Sequence, residues 1–107
     1  MTAAAGGNGA LASWARLIRA AADLIEQAGV PRLVLYPEPD KIVIQVPEDL
    51  GDVAARTRAV ARIAALTGAA PAPDPRPGVT RGWILARGHF AGHPVHVFAP
   101  VSQEPAL

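Results

Sequence analysis

Three histidines fall within eight residues, His89-Phe-Ala-Gly-His93-Pro-Val-His96, and they are all the histidines of this 107-residue chain. Closely spaced imidazoles are donors that zinc, copper or nickel take, so metal chemistry would be sought here first. Strand parity works against it. Side chains alternate between the faces of a strand, so His93 and His96, three apart, point to opposite sides of a sheet and share no ion unless a bulge intervenes. His89 and His96 meet diagonally across a hairpin turned at Ala91-Gly92, which gives two ligands and no carboxylate near them in sequence. The expectation is no metal and no cofactor, with the histidines on a solvated or interfacial sheet surface.

Other chemistry is thinner still. The only serines are Ser13, inside a helical stretch, and Ser102, near the C-terminus, and neither sits in a nucleophile elbow. With no cysteine, the chain has no thiolate nucleophile, no disulfide and no Cys-type zinc or iron–sulfur site, and it fits a reducing cytoplasm. The carboxylates have structural uses. Glu38 and Asp40 flank a turn, while Glu48, Asp49 and Asp52 serve a helix start. Gly88 and Gly92 do not lie between a strand and a helix, so they make no phosphate cradle. Arg56, Arg58 and Arg62 read as a solvated helix face, and Arg76 among prolines as linker solubility. No base, nucleophile and orienting group can be named together, so the expectation is a non-catalytic protein.

Composition agrees. The net charge is +1, and Arg provides nine of the ten basic residues. In an alanine-rich chain that usage points to a GC-rich bacterial genome, and near-neutrality argues against duplex DNA as a partner. No apolar run reaches membrane-spanning length, and residues 1–9 have neither the basic start nor the apolar core of a leader.

The elements that must position these residues come in two copies of one unit, 10–46 and 50–101, within a single domain 10–101. Residues 1–9 are expected to be a disordered arm, apart from a cap at Asn8, and 102–107 a flexible tail. Apolar residues recur at three- and four-residue steps over 10–28, which predicts an amphipathic helix stopped by Gly29 and Pro31. Two β-rich runs, 32–36 and 41–46, flank Pro-Glu-Pro-Asp and predict a hairpin with Tyr36 opposite Lys41. A second helix is expected over about 50–67, capped by Asp49, with Val53, Val60, Ile63 and Ala64 buried. Four prolines in residues 69–78 exclude helix or central strand and predict an extended surface connection. A last hairpin, 80–90 and 93–101, would pair Phe90 with His93. The fold class is therefore α+β, helix–hairpin–helix–hairpin (αββαββ), with a four-stranded, mainly antiparallel sheet and both helices on one face. The core should rest on few large side chains, from Trp14, Leu17, Ile18, Leu24 and Ile25 through Leu33, Leu35, Ile42, Ile44 and Val46 to Val60, Ile63, Ile84, Val95 and Val97.

Alternation then leaves Val34, Tyr36, Val43, Trp83, Leu85, Arg87, His96 and Phe98 on the face away from the helices, with His89 beside them. Three of the five aromatics lie there. A sheet solvated on one side should alternate cleanly to polar residues, and this one does not. Apolar surface of this extent marks an interface, unless the proline-rich loop, the N-terminal arm or the C-terminal tail folds across it. The reading is a protein-interaction module that self-associates through its outer sheet face as a homodimer, with no membrane partner. Burial of roughly a few hundred Å² at about 25 cal/mol per Å² would contribute several kcal/mol before association costs. The alternative is a single-stranded nucleic-acid platform, in which the aromatics stack bases beside Lys41, Arg81, Arg87 and His96. The doubled helix–strand–strand order is too general to assign a family.

Overall fold

Alanine at positions 20, 21 and 28 lets the first helix lie close to its neighbours, and all three are buried in the computed structural model of the chain. The structure describes residues 2–36, 38–74 and 82–101, with backbone alone at 2–10, 74 and 101. Helix α1 runs Thr2–Ala28. It therefore starts ahead of the expected residue 10, and Asn8 lies inside it instead of capping it. Strand β1 (Val34–Tyr36) and strand β2 (Ile42–Gln45) form the first hairpin, followed by a 3₁₀ turn, Glu48–Leu50, and helix α2 (Val53–Thr67). Strands β3 (Ala72–Asp74), β4 (Gly82–Phe90) and β5 (His93–Val101) complete the chain.

The class is α+β as read from sequence, but the sheet has five strands in the order β1-β2-β5-β4-β3, and it is mixed. Strands β2 and β5 pair in parallel, Ile44 opposite Val97, and the Val46 N–H donates to the Phe98 carbonyl at 2.9 Å. The two hairpins therefore join through their inner strands, with α2 crossing between them as a parallel pair requires. The fifth strand comes from the proline-rich segment. Pro73, opposite Ile84, is tolerated because β3 lies at the sheet edge. Residues 75–80, including Arg76, Arg81 just beyond them, and the expected tail 102–107 lie outside the described residues.

In the first hairpin Tyr36 pairs with Val43, two residues away from the expected Lys41. The turn is longer than Pro-Glu-Pro-Asp alone. Because the slip is even, every side chain keeps its expected face. The second hairpin pairs Phe90 with His93, as predicted.

Residues of one parity face the helices. Ile42, Ile44, Val46, Val95, Val97 and Ala99 are fully buried together with Leu24, Val60 and Ile63. The remaining large side chains expected in the core, Trp14, Ile18, Ile25, Leu33, Leu35 and Ile84, pack against this cluster partly buried. Val53 is a correction: it is 39% exposed, because the buried stripe of α2 runs through Arg56, Ala59, Val60, Ile63, Ala64 and Thr67.

The cap of α2 is also corrected. Asp52, not Asp49, accepts the Ala55 N–H at 2.8 Å, while Asp49 pairs with Arg32 at 3.0 Å on the surface. Both helices end on glycines in the left-handed region, Gly29 (φ 65°) and Gly68 (φ 72°), which leaves the chain free to turn back at little steric cost. Gly88 has a different use. A Cβ there would sit 2.4 Å from the Thr67 carbonyl oxygen, so a bare backbone lets the end of α2 rest directly on β4.

Candidate functional site

The outer face is built in rows by the strand register. One row crosses the sheet as Val34, Gln45, Phe98, Leu85 and Ala72, and the next as Tyr36, Val43, His96 and Arg87. Trp83, opposite Pro100, closes the apolar end. All eight residues expected to share this face do share it, and none belongs to the cluster packed under the helices. Helices α1 and α2 shield the opposite side.

The aromatics touch one another across four strands. The Tyr36 and Phe98 rings stack with centroids 6.2 Å apart, and Trp83 meets Phe98 edge-on at 5.5 Å. The Tyr36 hydroxyl donates to Gln45 Oε1, which holds the phenol against the sheet. Val34 and Tyr36 remain 39% and 43% exposed, whereas Val43, Trp83, Leu85 and Phe98 are half-buried by their lateral neighbours. Side chains standing on a sheet shade one another at the sides, which contributes to the half-burial of these four, and Pro100 beside Trp83 is buried.

Charge gathers at the other end. Arg87 and His89 are exposed and Lys41 is half-buried. His96 lies between Val43 and Arg87, half-buried. Burial holds its imidazole below the ordinary histidine range, Lys41 and Arg87 push in the same direction, and Asp40 opposes them. His96 thus sits where a proton is unwelcome.

The histidine parity follows the sequence argument: His93 pairs with Phe90 on the helix side, while His89 and His96 lie on the outer side. Among the described residues no three His, Cys, Asp or Glu gather where they could hold a metal ion. Likewise, no described helix is long and apolar enough to cross a membrane.

On the helix side, Arg56 departs from the solvated reading. It is only 8% exposed, and its Nη1 donates to the carbonyls of Glu48 and Gly51, both at 3.0 Å, tying the 3₁₀ turn to α2. The signal was present, since Arg56 precedes Val60 by four residues and Ile63 by seven, which places it on the buried stripe. Arg58 and Arg62 are exposed as expected. They edge a groove of about 230 Å³ lined by Val30, Pro31, Leu50, Ala55 and Ala59, which offers neither a nucleophile nor a base. Compared with protein families, curated proteins and solved structures, the chain matches none of them.

Proposed function

We propose that this chain is a small non-catalytic interaction module that pairs with a second copy of itself through the outer face of its sheet. The observation that carries the reading is the contact chain Tyr36–Phe98–Trp83, flanked by Val34, Val43 and Leu85, on the face that neither helix covers. Five strands about 4.8 Å apart make a face about 20 Å across, and the rows from Trp83 to Arg87 span a similar length once side chains are included. Two such faces bury on the order of 1,000 Å², the lower end of what specific pairs use, so the dimer is reversible. Sheets packed face to face put the aromatics of each copy into the other.

Light scattering on the eluted protein tests this. The wild-type chain should give twice the mass of one chain, and Trp83→Glu a folded monomer; one unchanged mass for both forms removes the reading.

Single-stranded nucleic acid is the second reading, favoured by exposed Tyr36 standing in the row that ends at Arg87, with Lys41 just before β2. Against it, Val34, Val43 and Leu85 stand among the aromatics and offer aliphatic surface in place of rings on which bases could stack. A salt-dependent anisotropy change with short oligonucleotides would favour this reading, and a protein–protein face predicts none.

A further inference from the structure

We infer that the self-association is released by acid, with His96 as the switch; this rests on the dimer reading above and adds its regulation. Strand β5 is the middle strand of five, so His96 and Phe98 lie at the centre of the outer face. Any face-to-face copy covers the middle strand, whichever way the two sheets are turned. His96 is therefore covered in every such arrangement, while His89, exposed toward the hairpin tip, is not fixed under the partner.

The neighbours of His96 decide what coverage does. Strand β2 presents Val43 directly opposite it, strand β4 presents Arg87, and Lys41 and Asp40 lie just before β2. Two cations against one carboxylate already disfavour an imidazolium in the free chain, in the direction that burial also pushes. A second sheet removes the remaining water and brings its own His96, Arg87 and Lys41 to the same interface. Covering the face thus lowers proton affinity further, and by linkage a proton on His96 weakens the pairing. Each dimer holds two copies of His96, so at its steepest the dissociation constant rises about a hundredfold per pH unit as two protons bind. An interface near the lower size limit has no reserve against that change.

The test is sedimentation velocity across a concentration series at about pH 8 and about pH 5.5 for the wild-type chain, His96→Gln and His89→Gln. The expected result is a wild-type dissociation constant at least tenfold higher in acid, a His89→Gln variant that behaves alike, and a His96→Gln variant changed less than threefold. A wild-type dimer equally tight at both pH values overturns the switch and leaves the dimer standing. Release that persists in His96→Gln overturns the assignment to His96. A wild-type monomer at both pH values overturns the dimer itself. Should His96→Gln fail to fold, the wild-type imidazole titrated by NMR above and below the dissociation constant decides: a lower His96 pKa in the concentrated sample supports the switch, and equal values overturn it.

Discussion

Gly88→Ala should destabilise this domain, although alanine is ordinarily the better residue within a strand. The new Cβ would lie 2.4 Å from the Thr67 carbonyl oxygen, 2.6 Å from Thr67 Oγ1 and 2.8 Å from Thr67 Cβ. Unstrained contacts to carbon are about 3.5 Å, so the last turn of α2 must retreat by about 1 Å. That turn also carries the Thr67 hydroxyl bond to the Ala64 carbonyl at 3.0 Å and the Gly68 cap, so it cannot move without disturbing its own ending. Overpacking of this kind costs about 1–3 kcal/mol, against which alanine regains about 0.5–1 kcal/mol of strand preference over glycine. A net loss of about 1–2 kcal/mol corresponds to a fall in melting temperature of roughly 5–15 °C for a domain of this size. Urea unfolding followed by tryptophan fluorescence reads the loss directly. The double variant with Thr67→Ala separates the atoms responsible. Truncation removes the hydroxyl oxygen but leaves the carbonyl, so most of the penalty should persist. A Gly88→Ala variant as stable as the wild type, or one fully rescued by Thr67→Ala, refutes the close-approach argument.

Asp52→Ala removes the α2 cap and should destabilise by about 1 kcal/mol in the same unfolding assay, whereas Asp49→Ala, which loses only an exposed ion pair, should change stability by less than about 0.5 kcal/mol. Arg56→Met keeps the length of the side chain but leaves the Glu48 and Gly51 carbonyls without their guanidinium donor, so a loss of about 1–3 kcal/mol is expected, read by the urea midpoint. The pH dependence has a definite sign. His96 binds its proton less readily folded than unfolded, so the contribution it makes is full above about pH 6.5 and declines as pH falls through the lowered folded value. Unfolding of dilute protein between about pH 8 and about pH 5.5 should therefore show a loss of stability in acid that His96→Gln reduces.

The faces of the sheet were legible because parity survives errors that register does not. Tyr36 pairs two residues from its expected partner, yet Leu35 and Ile44 still point to the helices and Tyr36 and Val43 away from them. The second hairpin was legible in full, since Ala91-Gly92 leaves only a short turn between Phe90 and His93. Which strands join the two hairpins was not, because the β2–β5 pairing depends on how α2 crosses the sheet and no local pattern encodes that. Strand β3 was hidden by its prolines, which exclude a central strand but permit an edge. Arg56 was hidden by residue type: its place on the buried stripe was readable, but charge suggested solvent, and it is the Glu48 and Gly51 carbonyls of the turn before α2 that accept from its Nη1 there. Asp49 and Asp52 could each have capped the helix, and the 3₁₀ turn over Glu48–Leu50 gives the cap to the later one.

The distribution of volume between the two faces bears most directly on the role. The fully buried core under the helices holds leucine, isoleucine, valine and alanine and no aromatic side chain; Trp14 and Phe90 only flank it. Alanine there lets helices and sheet close on each other with little material between them. Tyr36, Trp83 and Phe98 instead stand on the face the helices leave uncovered, in contact with one another. Aromatics in that position gain little for an isolated chain, because their neighbours shade only their flanks, while covering them from above removes the largest remaining apolar surfaces from water. The same side chains therefore stabilise a pair far more than they stabilise one copy. This asymmetry can be measured: Phe98→Ala should lower the affinity of self-association by a larger free energy than it lowers the unfolding free energy of the dilute monomer, whereas Ile63→Ala, at the centre of the helix-covered core, should cost about 2–5 kcal/mol in unfolding. If Phe98→Ala proves as damaging to the monomer as Ile63→Ala, the outer face is a second core already covered within one copy, and the argument for pairing fails.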